Sequence, residues 1–79
     1  MSRVWFITGA SSGFGRAIAE AAVAAGDVVV GAARRPGALD AFVAAHPRQV
    51  QALRLDVTDL AAIETAVEDV LAWHGRIDV

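Results

Sequence analysis

Residues Thr8-Gly9-Ala10-Ser11-Ser12-Gly13-Phe14-Gly15 put three glycines in a short turn between an apolar run and a helix-forming one, and few folds accommodate that order. The preceding run, Val4-Trp5-Phe6-Ile7, is apolar at every position, as a strand covered on both faces should be. The following stretch, Gly15 to Ala25, predicts a helix that Gly26 stops. A strand that feeds a glycine turn opening a helix gathers the unpaired N–H groups of the first helical turn at one point. Glycine leaves no Cβ to hold an anion away from them. The turn therefore predicts a phosphate cradle, with the Ser11 and Ser12 hydroxyls bonding either the turn itself or the phosphates.

The spacing narrows the choice. A P-loop needs a Gly-Lys-Ser/Thr ending, whereas position 14 is Phe and all seven basic residues are arginine. Gly9, Gly13 and Gly15 instead follow T-G-x-x-x-G-x-G directly after a first strand. This pattern resembles the short-chain dehydrogenase/reductase superfamily, and the resemblance extends over essentially all 79 residues. It implies a Rossmann-type, doubly wound parallel α/β sheet, of which residues 1–79 would be the N-terminal β-α-β-α-β-α-β portion. It also implies that Gly9, Ser11, Ser12, Gly13, Phe14 and Gly15 bind a nicotinamide dinucleotide. Phe14 departs mildly from the aliphatic residue common there, without consequence expected for phosphate binding.

The pattern downstream agrees with that order. Val28-Val29-Val30-Gly31-Ala32-Ala33 predicts a second strand, and Val50 to Leu55 a third. Between them Pro36 suits a first helical position, Leu39, Phe42 and Val43 form a stripe, and His46-Pro47 ends it. Leu60, Ile63, Val67, Val70 and Leu71 predict a third helix closed by Gly75, and Arg76-Ile77-Asp78-Val79 begins a fourth strand. Alternating strands and helices imply a parallel sheet. Ile18, Val23, Phe42 and Val67 are the expected helical core positions, Trp5 a core residue of its strand and Trp73 a partly buried packing residue.

The second strand ends in Arg34-Arg35, where doubly wound folds place the group that reads the adenosine ribose, about 20 residues beyond the glycine turn. A carboxylate there would accept from the ribose hydroxyls and select NAD. Two guanidinium groups instead suit a 2′-phosphate through charge-assisted, often bidentate bonds. The expectation is an NADP preference over NAD, with Arg34 the main contact and Arg35 its helper. Arg16, in the first helical turn, is expected in a solvated position rather than on the pyrophosphate.

Leu55-Asp56-Val57-Thr58-Asp59 follows the third strand. By the resemblance, Asp56 would accept from the adenine amino group and the Val57 backbone would bond a ring nitrogen. The alternative makes Asp56 a turn former, with Thr58 the N-cap of the next helix; for Thr58 and Asp59 that capping role is preferred, and for Asp56 the adenine.

A net charge of −2 gives no electrostatic support for binding nucleic acid or an anionic membrane. No cysteine is present, which removes thiolate metal sites and fits a reducing cytoplasm. His46 and His74 have no metal-ligand neighbours at suitable spacing, so no metal is expected. No run has the length of a membrane span or the form of a secretory signal.

Members resembling this segment continue to a catalytic Ser and a Tyr-x-x-x-Lys pair that act on a small alcohol or carbonyl substrate. With no tyrosine or lysine here, no residue is assigned a catalytic role and the 79-residue chain alone is expected to be inactive. A chain stopping at Val79 would leave a bare sheet edge, so association into homo-oligomers or aggregates is expected. Two other readings stand beside the oxidoreductase: a truncated, non-catalytic nucleotide-binding protein, and an α/β-hydrolase using Ser11 of Gly9-Ala10-Ser11-Ser12-Gly13 as nucleophile. The hydrolase lacks an earlier strand for its oxyanion loop and leaves Gly15 and Arg34 unexplained.

Overall fold

The computed structural model describes residues 2–11, 13–35 and 37–79. Strands β1 (Val4–Thr8), β2 (Val28–Ala33) and β3 (Val50–Arg54) alternate with helices α1 (Gly13–Ala24), α2 (Asp40–Ala45) and α3 (Leu60–His74). β2 is central and pairs in parallel with both neighbours, Val4 opposite Val28 and Val29 opposite Val50. Parallel neighbours need crossovers, and α1 and α2 supply them.

Period-two alternation sends the strand side chains to two separate cores. Ile7, Val29, Ala33 and Val50 meet Ala19, Ala22 and Val23 of α1 and Phe42 of α2, with Trp5 and Ile18 packed alongside. Val4 and Val30 meet Val70 of α3, while Ala32 and Leu55 meet Ala66. The central strand is apolar throughout because helices cover both its faces. Burying the larger core side chains contributes roughly 1.5–3 kcal/mol each.

Val23 and Phe42 lie in the core as expected, and Ile18 packs against it. On α3 the buried pair is Ala66 and Val70, one helical turn apart, and Val67 is only half-buried. Val67 follows Ala66 by one residue, about 100° around the helix, so it flanks the contact stripe. Trp73, expected to be partly buried, is about half exposed (48%), and Leu60 is exposed.

α2 begins at Asp40, later than the proline-led start that the sequence implied. Gly37 has φ +81°, a left-handed conformation that delays the helix, and Pro36 lies outside the described residues. Asp59, not Thr58, caps α3: its carboxylate accepts from the Ala62 N–H at 3.1 Å. Thr58 is diverted, because both its N–H (3.0 Å) and its hydroxyl (2.7 Å) donate to Asp56.

The expected fourth strand is present only as a short docked segment. Asp78 N–H donates to the Val4 carbonyl (2.8 Å) and Phe6 N–H to the Val79 carbonyl (2.8 Å). Val4 and Phe6 present these groups to the side of β1 away from β2, so the chain crosses over β1 after α3. These few bonds do not make a ladder.

The amino-terminal ends of the strands are tied by carboxylates. Asp27 Oδ1 accepts from the Arg3 N–H (2.9 Å) and Oδ2 from the Trp5 indole N–H (3.0 Å). Asp78 Oδ2 accepts from the Val4 N–H (2.8 Å), and its Oδ1 from Arg76 Nη2 (2.6 Å). For Asp27 the Arg3 N–H and then the Trp5 indole hold the pKa below its usual 3.8, against a smaller opposing effect of burial. For Asp78 the Arg76 guanidinium and then the Val4 N–H do the same.

Folded-state pKa values below the unfolded one stabilise the fold above the unfolded value, and that stabilisation is lost as pH falls through the depressed folded values. Fold stability should therefore be flat from neutral pH down to the usual aspartate range and fall below 3.8. Asp27→Asn should flatten that acid limb. Urea unfolding across pH, followed by tryptophan fluorescence, checks both expectations.

Candidate phosphate and ribose site

The turn between β1 and α1 sits at the carboxyl edge of the sheet, beside the place where the chain changes direction. From β1 it proceeds through β2 to β3, then returns to the opposite side of β1. Open α/β sheets leave a crevice at such a point, outside the strands' carboxyl ends.

Gly9 and Gly13 adopt φ +64° and +56°, conformations that side chains rarely take. Gly15 is required for a different reason. A Cβ there would overlap the Gly9 carbonyl oxygen and come within 2.9 Å of its carbon and 3.3 Å of the Thr8 oxygen. The first turn of α1 thus lies directly against the turn that precedes it, and no acidic residue occupies that helical turn. Its free N–H groups and the helix dipole make a favourable position for an anion.

Ala10 fixes the turn to the sheet. It is fully buried and its N–H donates to the Ala32 carbonyl of β2 at 3.3 Å. Ser11 is half-buried and borders an open depression together with Arg34, Arg35 and Ala38. Ser12 lies outside the described residues. Phe14 is 84% exposed and borders an apolar groove with Trp5, Ile18 and Val79. Among the expected site residues, the turn and the two arginines are therefore brought to one face.

Arg34 and Arg35 are exposed just beyond β2, and neither joins an ion pair among the described residues. Asp56 and Val57 are exposed beyond β3, at the same edge. The Thr58 N–H and then its hydroxyl, with a smaller contribution from the Arg34 charge, hold the Asp56 carboxyl below the usual range. Asp56 therefore has a turn-forming role, which engages one of its oxygens.

Arg16 is partly exposed, as expected, but it is not free. Its Nε donates to Glu20 (3.0 Å), and its guanidinium lies 4.3 Å from the Phe42 ring centroid. It joins α1 to α2 rather than serving the turn. The sequence placed Gly31 in the second strand and Leu39 in the stripe of the second helix without linking them; they meet beneath the turn and the arginine segment. The available signal was a lone glycine inside an apolar strand, which marks close approach by another part of the chain.

A parallel sheet with a glycine turn and helix N-terminus at its switch point defines a Rossmann-like nucleotide-binding chain. The sequence model described as short chain dehydrogenase matches residues 3–79, and the chain belongs to the short-chain dehydrogenase/reductase family. It is 45% identical over 80 residues to Oxidoreductase BOA17 of Botryotinia fuckeliana (strain B05.10), across 100% of this chain and 29% of that protein.

The crystal structure of a short-chain dehydrogenase from Streptomyces avermitilis superposes with a TM-score of 0.96 at 62% identity, covering 99% of this chain and 29% of that one. A metagenomic short-chain oxidoreductase in complex with NADP has a TM-score of 0.89 at 36% identity, over 100% of this chain and 38% of its own. A Burkholderia phymatum family member in complex with NAD has a TM-score of 0.85 at 36% identity, over 96% and 28%. The chain spans less than two-fifths of each of these relatives.

Gly15→Ala should destabilise the fold by about 1–3 kcal/mol, the usual cost of forcing an atom into a filled space. The urea midpoint should fall accordingly, whereas Ala17→Ser, on the exposed side of α1, should leave it nearly unchanged.

Proposed function

We propose that this chain is the coenzyme-binding part of an NADP(H)-dependent oxidoreductase acting on a small alcohol or carbonyl substrate. The observation that carries the reading is the depression bordered by Ser11, Arg34, Arg35 and Ala38. It joins the anion-binding turn to two guanidinium groups with no ion-pair partner, and no carboxylate lines it, among the described residues.

Gly9, Ser11, Ser12, Gly13, Phe14 and Gly15 hold the pyrophosphate through backbone N–H groups and hydroxyls. Arg34, helped by Arg35, takes the 2′-phosphate. Asp56 accepts from the adenine amino group through the carboxylate oxygen that Thr58 leaves free, and the Val57 backbone bonds the ring. The close seat of Gly15 on Gly9, where a Cβ would intrude, fits a dinucleotide phosphate. When bound, the coenzyme supplies hydride exchange with a carbonyl carbon; these 79 residues hold it in place and supply no acid or base. Among the described residues the depression's lining also contains no histidine to activate Ser11, which weighs against the hydrolase reading.

No helix among the described residues is long and apolar enough to cross a membrane. Exposed Phe14, Leu60, Leu71 and Trp73 support self-association of the chain.

Arg34→Ala should weaken NADPH binding about tenfold to a hundredfold, the loss of a hydrogen bond to a charged group worth about 1.5–3 kcal/mol. NADH binding should change less than about twofold, because its ribose offers no phosphate to lose. Fluorescence titration with the two coenzymes measures both. Equal affinity of the unsubstituted protein for NADH and NADPH would overturn the preference.

A further inference from the structure

The segment that carries Arg34 and Arg35 touches the core at one described point. Arg34, Arg35, Gly37 and Ala38 are exposed, whereas Leu39 is 3% exposed and belongs to the same core cluster as Ile7 and Ala10. Gly31 of β2 is where it lands. A Cβ built on Gly31 would lie 3.1 Å from Leu39 Cδ1 and 3.2 Å from the Ala10 Cβ. Two side chains, one from the arginine segment and one from the glycine turn, thus converge over a single glycine. Around Leu39 the segment is shaped locally, with Asp40 N–H donating to the Gly37 carbonyl (3.1 Å) and Val43 N–H to the Leu39 carbonyl (2.9 Å).

We propose that Leu39, seated on Gly31 beside Ala10, is a positioning residue that holds the Arg34–Arg35 segment in register with the glycine turn and so determines discrimination for a coenzyme bearing a 2′-phosphate. The inference rests on the coenzyme reading given above and adds a residue that touches no ligand. NADP is gripped at two points whose separation is set by its own ribose and pyrophosphate, so the two protein anchors must be spaced to match. NAD uses the turn without the guanidinium groups and does not feel that spacing. A buried leucine shared by both anchors fixes it; hydrogen bonds to the phosphate weaken steeply when the donor geometry drifts.

Two substitutions perturb this seat from opposite sides in the intact protein. Leu39→Val withdraws the Cδ atoms from Gly31, and Gly31→Ala crowds Leu39 Cδ1 and the Ala10 Cβ alike. Each should lower the ratio of NADH to NADPH dissociation constants about tenfold, the share of one charge-assisted hydrogen bond. NADH affinity should stay within about twofold in Leu39→Val, which also reports that the turn remains folded; in Gly31→Ala, which presses on the turn as well, the ratio alone is read. Leu39→Met, which restores reach over Gly31, should recover most of the ratio.

An unchanged ratio in Leu39→Val would overturn the proposal. So would equal loss of both coenzymes, since Leu39 would then serve the core or the turn without setting the arginines. Absence of any NADPH preference in the unsubstituted protein would instead defeat the coenzyme reading, and this inference with it; that result is read before any substitution is made.

Discussion

The site depends on a contact between two backbones. Gly15, in the first turn of α1, lies so close to the Gly9 carbonyl that no other residue fits there. That approach aims the helix N-terminus across the end of β1 and brings its N–H groups to the crevice. Ala19, Ala22 and Val23 seat α1 on the sheet, and the bare Cα of Gly15 lets its first turn close onto Gly9.

From that pose the rest of the sheet acquires a polarity. The residues proposed to hold the coenzyme gather at the carboxyl edge: the turn, Arg34 with Arg35, and Asp56. Carboxylates that tie backbone ends together gather at the amino edge, where Asp27 receives the Trp5 indole and Asp78 receives Val4. The carboxyl-edge arginines lack carboxylate partners among the described residues, while the amino-edge acids are satisfied by named donors. Among the described residues one end carries unpaired positive charge, the other charges that the fold itself satisfies.

Much of this was readable in the sequence because the strands are unbroken apolar runs and the turns are marked by glycine. The boundaries of β2 match its run of apolar residues, and Gly75 ends α3 in the left-handed conformation its position implied. Two of the misreadings share a cause: two adjacent residues of equal local aptitude. Thr58 and Asp59 are both good caps, and a hydrogen bond from Thr58 back to Asp56 decides between them. Val67 is more hydrophobic than Ala66, but the stripe facing the sheet passes through the alanine. Local preference cannot rank such neighbours; the tertiary partner does. The roles of Gly31 and Leu39 were hidden for the same reason, since the glycine and the leucine that covers it are brought together only when the chain folds back.

The separation of the two edges bears on how such a chain tolerates change. The three surface segments at the carboxyl edge contribute little to the two cores beyond Ala10, Leu39 and Leu55. A lineage can therefore rewrite the exposed letters around Arg34 and Asp56 while leaving those buried pegs and the glycines of the turn alone, and the scaffold will register little of the revision. The same partition recommends the fold for loop grafting: the pegs define where a foreign segment must be spliced.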